Sequence, residues 1–336
     1  MTKKHVFLRD VGESSMWNIE PWDKKQESAT KICELVHICY PRRPKLPSGH
    51  ELQFLLGVER GYEQSSFVLK HDNNIYGCAF LSHAPSQNDV LLRGCIHPEH
   101  RGKGQGSALL TSVLESVSHQ SNIEHCLTTA FADDTEIVDI LTHWGFREVD
   151  RVIWSKLDLC PEKNKTNPTI ENWIQSKCSF FEQRSYSVVT GDVFETMRDD
   201  WEYAWWDFTM KTCRDIPSKI PFETIPFEDW KHVLHPPMLY RENSLVMLDG
   251  IEMIGVLNLS RVVNETINID FTAVSSKYRQ KGLSIVVKNK AFELARTLGA
   301  KSMTTQNHPD NPILQINKKL GFCEEAIDLC LQLQLF

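Results

Sequence analysis

Residues 101–106, Arg-Gly-Lys-Gly-Gln-Gly, place three glycines and two cations in six positions and run straight into an apolar helical pattern. Backbone N–H groups at the start of a helix are unpaired and carry the positive end of its dipole, so a glycine-rich turn that opens a helix is an anion site. Glycine matters here because a Cβ would hold a ligand away from the amides, and Arg101 and Lys103 add charge. A diphosphate is the anion that such a turn suits. The dinucleotide fingerprint is not matched: the order is RxxGxG, and no acidic residue stands at the required place on a following strand. The same residues could also make a plain tight turn, so the context must decide. His97 and His100 flank the turn, but with Pro98 and Glu99 between them they read as a solvated turn, and no metal is expected.

That context occurs twice. Residues 279–284, Arg-Gln-Lys-Gly-Leu-Ser, form a related turn, and 27 residues separate Gly77 from Gly104 and Gly255 from Gly282. Upstream of each turn lie two β-rich runs around a polar turn, 67–81 and 244–259, the second with Asp249-Gly250 as its hairpin signal. Downstream of each comes a helix: Leu110, Val113, Leu114 and Val117 keep helical spacing in one copy, and Val287, Ala291, Leu294, Ala295 and Leu298 in the other. A short strand (125–131 or 301–307) follows, then a helix ending in Gly-Phe at 145–146 or 321–322, then a closing strand. Equal spacing without identity points to duplication. The polar, proline-bounded stretch 160–168 has the composition of a linker. The division expected is 1–160, a connecting segment 161–185, and 186–336.

At 336 residues the chain is comfortable as two domains. Hydrophobic content of 41% and charged content of 24% are ordinary for a globular protein, and no apolar window is long enough to span a bilayer. The N-terminus does not read as a secretory signal, because His5 and Arg9 interrupt it. A net charge of −7 argues against a nucleic-acid partner. Ten cysteines without a CxxC pair argue for reduced, packed thiols, and a cytoplasmic location is expected.

Each half resembles the GNAT superfamily of acyl-CoA-dependent N-acyltransferases, whose [QR]xxGx[GA] signature opens a helix after a long central strand. Arg101 to Gly106 match it; Arg279 to Ser284 match it less fully, with Ser284 in place of the last small residue. Residues 304–322 are similar to the family's later motif, in which an Asn opens the helix that ends in Gly-Phe. The layout resembles tandem members such as mycothiol synthase. The resemblance implies an α/β fold with a mixed sheet: two tandem domains, each a twisted, mostly antiparallel sheet with helices on both faces. It also implies acetyl-CoA as cosubstrate. Its pyrophosphate would lie on Arg101, Gly102, Lys103, Gly104, Gln105, Gly106 and Ser107, and on Arg279, Gln280, Lys281, Gly282, Leu283 and Ser284. Its pantetheine would run along Cys95-Ile96 and Ala273-Val274.

The resemblance also points to a working half. In the family the base comes from the central strand, four or six residues before the apolar residue that precedes the turn. Counting back from Ile96 gives Leu92 and Val90, and counting back from Val274 gives Asp270 and Asn268. Asn311 stands where the family's helix-opening Asn stands, and Thr135 is its counterpart. The family's tyrosine acid is replaced by Leu141 and Asn317. The acceptor segment of the second half carries Trp201, Trp205, Trp206 and Asp207, which suit a cationic, partly apolar small-molecule amine or else pack as core. The matching segment of the first half carries Arg42, Arg43 and Lys45. Three readings stay open: catalysis in the second half, catalysis in the first, and a non-catalytic acyl-CoA-responsive binding protein. Oligomeric state is not encoded in these patterns.

Overall fold

The computed structural model describes residues 7–8, 17–42, 65–83, 88–117, 123–160, 168–219, 222–236 and 238–335. Arg43, Lys45 and most of the linker stretch lie outside them. The first half runs β1 (Phe7–Leu8), β2 (Trp17–Pro21), α1 (Gln26–Cys39), β3 (Ser66–His71), β4 (Asn74–His83), β5 (Asp89–Ile96), α2 (Gln105–Glu115), β6 (His125–Phe131), α3 (Thr135–His143) and β7 (Arg147–Asp158). The second runs α4 (Pro168–Glu182), β8 (Tyr186–Thr190), α5 (Gly191–Met197), α6 (Trp201–Cys213), α7 (Phe227–Trp230), β9 (Leu245–Asp249), β10 (Glu252–Leu259), β11 (Thr266–Val274), α8 (Leu283–Thr297), β12 (Ser302–Asn307), α9 (Pro312–Lys319) and β13 (Cys323–Gln334).

Both expected hairpins form. Asp72 and Asn73 join β3 to β4 in left-handed conformation, and Gly250 joins β9 to β10. In each half, antiparallel pairing carries the sheet to the central strand, β5 or β11, which then pairs in parallel with β6 or β12. The buried stripe of α2 is Leu109 and Val113, one residue offset from part of the spacing read in the sequence.

In the unit built around the second half, alternate residues of β9 feed two cores. Met247 joins Ile254, Leu257, Val287 and Met303 under α8, whereas Val246 and Leu248 join Phe194, Trp205 and Phe208 under α5 and α6. Helices therefore cover both sheet faces, as the period-2 alternation of strands requires. The connecting segment includes α4, a helix packed along α8. Among the buried polar residues, Lys288 of α8 carries an ammonium into the core at 1% exposure. Burial pushes its ammonium down to about 7, and its Nζ lies 5.7 Å from the Phe322 ring centroid.

Contacts do not divide the chain at residue 160. One unit comprises residues 1–130, 134–149 and 330–336, and the other 131–133 and 150–329. The difference arises from the closing strands. β7 pairs antiparallel with β12 of the second half, Ser302 opposite Asp158 through Asn307 opposite Ile153. At the other end of the chain, the Leu335 N–H donates to Glu124 O at 2.9 Å. A Cβ on Gly321 would meet Leu157, and one on Gly145 would meet Leu333. Most of β7 (150–158) thus belongs to the unit built around the second half, and the end of β13 (330–334) to the unit built around the first.

Candidate active site

The two turns share one geometry. Gly104 and Gly282 are the left-handed N-caps of α2 and α8, with φ of 85° and 86°. Two residues earlier Gly102 has φ 73°, and its counterpart Gln280 takes the same region at φ 62°. Arg101 Nε donates to Ile96 O at 3.1 Å and Arg279 Nε to Val274 O at 3.0 Å. Each arginine thus braces its turn against the end of the central strand. Arg279 also bonds Asp215 at 2.6 Å, so its charge is committed to a carboxylate rather than held for a phosphate.

The backbone N–H groups of 102–107 and of 280–284 have no acceptor among the described residues, as the first turn of a helix requires. Around Gly102 and Gly104 a Cβ would meet nothing within 4 Å, which leaves the space a diphosphate needs. At Gly282 the same position meets the methylene stem of Lys177 from α4. Both turns fit an acyl-CoA diphosphate, the first openly and the second beneath a flexible lysine side chain.

The central strands differ more. β5 pairs with β6 over Asp89–Leu91 and then leaves it, with Thr128 Oγ1 donating to Leu92 O at 3.0 Å. β11 pairs with β12 over Thr266–Ile269 and then leaves it. On its other edge β5 keeps an unbroken register with β4. β11 does not: Asn258 of β10 faces Phe271 while Leu259 faces Ile269, so Asp270 is the extra residue of a β-bulge. A bulge re-aims a side chain and interrupts pairing, and such breaks recur beside active sites.

At the bulge Asn268 Nδ2 donates to Asp270 Oδ1 at 2.7 Å, and Thr304 Oγ1 of β12 donates to Asn268 Oδ1 at 2.9 Å. Asn268, Asp270 and Asn311 line one cleft of about 420 Å³ where β11 and β12 part. Asn311 is the N-cap of α9, its Oδ1 accepting from Ile313 N–H. In the first half the cap is Asp134, one residue before the expected Thr135. Asn317, at the place of the family's tyrosine, is fully buried; its Nδ2 donates to Asn307 and its Oδ1 has no partner.

Two cleft residues escaped the sequence reading. Asp150 of β7 accepts from His308 Nε2 at 3.0 Å, from Arg151 N–H at 2.8 Å and from Lys219 N–H at 2.9 Å, with Ser218 Oγ at 3.4 Å. Burial acts to raise its carboxyl pKa, but the backbone N–H bonds and His308 outweigh it, and the net shift is downward. His308 Nδ1 accepts from Asp310 N–H, which sets the ring as the Nε2–H tautomer. Asp150 thereby ties the 216–219 segment, one wall of the cleft, to β7. It lies 158 positions from His308, and no local pattern signals the pairing.

The acceptor residues expected on α6 are not in the cleft. Trp201 and Trp205 belong to the core, Trp205 at 0% exposure. Trp206 Nε1 donates to Ile225 O, and Asp207 pairs with Lys211 one turn along. Trp201, Trp205, Phe208 and Thr212 form the buried stripe of the helix, so aromatic mass here serves packing. The wall comes instead from Ile216, Pro217 and Ser218, just beyond the helix.

In the first half, Leu92 and Val90 are buried and apolar, and the strand end holds thiols. Cys39 Sγ lies 3.4 Å from Ile96 O, and Cys95 Sγ lies 3.7 Å from Cys78 Sγ. A hydrogen bond from Cys95, with Arg101 nearby, brings the Cys39 thiol down to about 7. His97, Glu99 and His100 bring their donor atoms within 4.8 Å of one another, but His97 Nδ1 is engaged by Glu99 N–H, as in an ordinary turn.

Residues 63–148 match the acetyltransferase (GNAT) domain family. Among solved structures the chain is similar to a tandem GNAT protein from the clavulanic acid biosynthesis pathway, at 14% identity and a TM-score of 0.71 over 95% of this chain and 99% of that one. It is also similar to a GCN5-related N-acetyltransferase from Sphaerobacter thermophilus, at 14% identity and a TM-score of 0.66 over 95% and 96%. A third is a glucosamine N-acetyltransferase region of a fungal multi-domain β-N-acetylglucosaminidase, at 13% identity and 0.65 over 97% of this chain and 39% of that one. At these identities the likeness shows the fold: a tandem GNAT architecture over nearly the whole chain. No curated protein matches it in sequence.

Proposed function

We propose that this chain, whose residues 63–148 are a GNAT acetyltransferase domain and whose halves share that fold, is an N-acetyltransferase that moves the acetyl group of acetyl-CoA to a primary amine of a small molecule in the second-half cleft. The observation that carries the choice is the bulge at Asp270, which gives the second central strand a carboxylate where the first has Leu92 in unbroken pairing. The amine nitrogen attacks the thioester carbonyl, the C–S bond breaks, and CoA leaves as its thiolate. The proton lost by nitrogen passes to Asp270, directly or through one water. Asn268, itself held by Thr304, fixes the carboxylate by donating to Oδ1. With an amide at 317 and Leu at 141, the thiolate leaves without a tyrosine acid.

The first half takes a second role in this reading: acyl-CoA binding at the open turn 102–107, beside a strand with no ionisable group at 90 or 92. The cysteines, spaced without a CxxC pair, suit a cytosolic setting, and no helix among the described residues is long and apolar enough to cross a membrane.

Replacing Asp270 with Asn tests the base. Turnover should fall by about 100-fold or more while CoA affinity is spared; unchanged turnover removes the assignment. Gly282→Glu should abolish thiol release and Gly104→Glu should not, and the reverse result moves the chemistry to the first half.

A further inference from the structure

We propose that the acceptor is an amine free of carboxylate and phosphate groups, with hydroxyls or further amino groups on its body. The inference rests on the second-half cleft being the acceptor site. Two carboxylates, Asp150 and Asp270, line it, and among its lining residues there is no lysine or arginine. His308 is engaged on both ring nitrogens, its Nδ1 accepting from Asp310 N–H while its Nε2 serves Asp150, so neither is left for an acceptor. Arg279 reaches the segment that forms the wall, but there it is paired with Asp215. Lys219 contributes its backbone N–H to Asp150, and its side chain does not line the cleft.

The remaining polar surface consists of amides and hydroxyls, including Asn307, Gln306 and Thr272. Thr272 Oγ1 is buried without a partner, as is Asn258 Oδ1 on the neighbouring strand. An unpartnered buried oxygen carries a desolvation cost that a ligand hydroxyl or amine removes. A second anionic group on the acceptor gains no such bond and faces two like charges in a partly enclosed site. A second cation is attracted by the same charges.

Matched pairs of amines isolate this effect: cadaverine against lysine, which differ by one carboxylate, and glucosamine against glucosamine 6-phosphate. With acetyl-CoA and thiol release as the readout, kcat/KM should favour the acid-free member of each pair by about tenfold or more. Ile216→Lys, at an exposed position on the cleft wall, should reduce that preference by about tenfold. Equal or greater use of the acid-bearing members overturns the proposal. Calorimetric titration of the same amines into the protein with CoA present separates it from the transfer reaction. Preferential binding of acid-free amines without thiol release would sink the transferase reading and keep the charge selection. Absence of preference in binding would sink the charge selection, and no amine binding at all would sink both.

Discussion

Lys288 offers the most quantitative test. Its ammonium has an ordinary value of 10.5 in the unfolded chain, and burial brings it to about 7 in the folded one. Between those values the unfolded chain binds more protons than the folded chain, so this residue makes stability rise with pH across that window. Below about 7 both states are charged and the penalty is constant. Linkage gives a cost of about 4 kcal/mol at pH 7 and about 2 kcal/mol at pH 9, vanishing above 10.5. The Phe322 ring at 5.7 Å offsets part of it, by about 1 kcal/mol for a cation over an aromatic face. Lys288→Met keeps the methylene packing and removes the ionisable group. The variant should be more stable than the parent by about 3 to 4 kcal/mol at pH 7 and by roughly half as much at pH 9. Urea unfolding followed by far-ultraviolet circular dichroism at the two pH values measures both numbers, and every other titrating group cancels in the difference. A gain that is the same at both pH values, or a loss at pH 7, would refute the argument, since either would mean that the amine is solvated or paired in the fold.

Three further outcomes follow from the geometry. Asp150→Asn sets an amide NH2 against donors, so it should destabilise the protein by about 1 to 3 kcal/mol and raise KM for the amine more than for acetyl-CoA. Because the Asp150 pKa is depressed in the fold, its contribution is present above the ordinary carboxylate value and is lost as pH falls through the folded one; acid titration of parent and variant should converge at low pH. Trp205→Ala should cost about 3 to 5 kcal/mol in thermal or urea melts, whereas a substrate-binding tryptophan would show itself in KM at little cost to stability. Cys39, brought down to about 7, should be alkylated by iodoacetamide at pH 7 ahead of Cys126 and Cys213, which burial raises to about 12 and about 11. Peptide mass spectrometry reads that order, and labelling of Cys126 first would contradict it.

Local chemistry made much of this architecture legible. Gly250 and Gly104 mark their turns because each must hold a left-handed backbone, and the Gly-Phe pairs end their helices for the same reason. The second-half carboxylate is reached by counting along the strand to the place that the family resemblance implies, but the bulge that sets it apart is not, since register depends on the partner strand. The α6 tryptophans show the opposite limit. A run of aromatic and acidic residues is equally consistent with a cleft wall and with a buried stripe, and only the 201, 205, 208 spacing, read as a stripe, favours the second. Asp150 was invisible because its partners lie in segments distant along the chain. The same holds for β7 and β13, whose composition says that they are strands and says nothing about where they insert.

The exchanged closing strands make the peptide link across 161–167 less important than the pieces it joins. Fragment 1–160 would carry away Asp150, and with it the anchor for a wall of the cleft encoded by the other fragment; fragment 161–336 would keep Asp270 on a sheet lacking its neighbour for β12. Neither should act alone, and co-expressed they should complement one another. Reciprocity of this kind is what fusing two copies of a strand-swapped homodimer would leave behind.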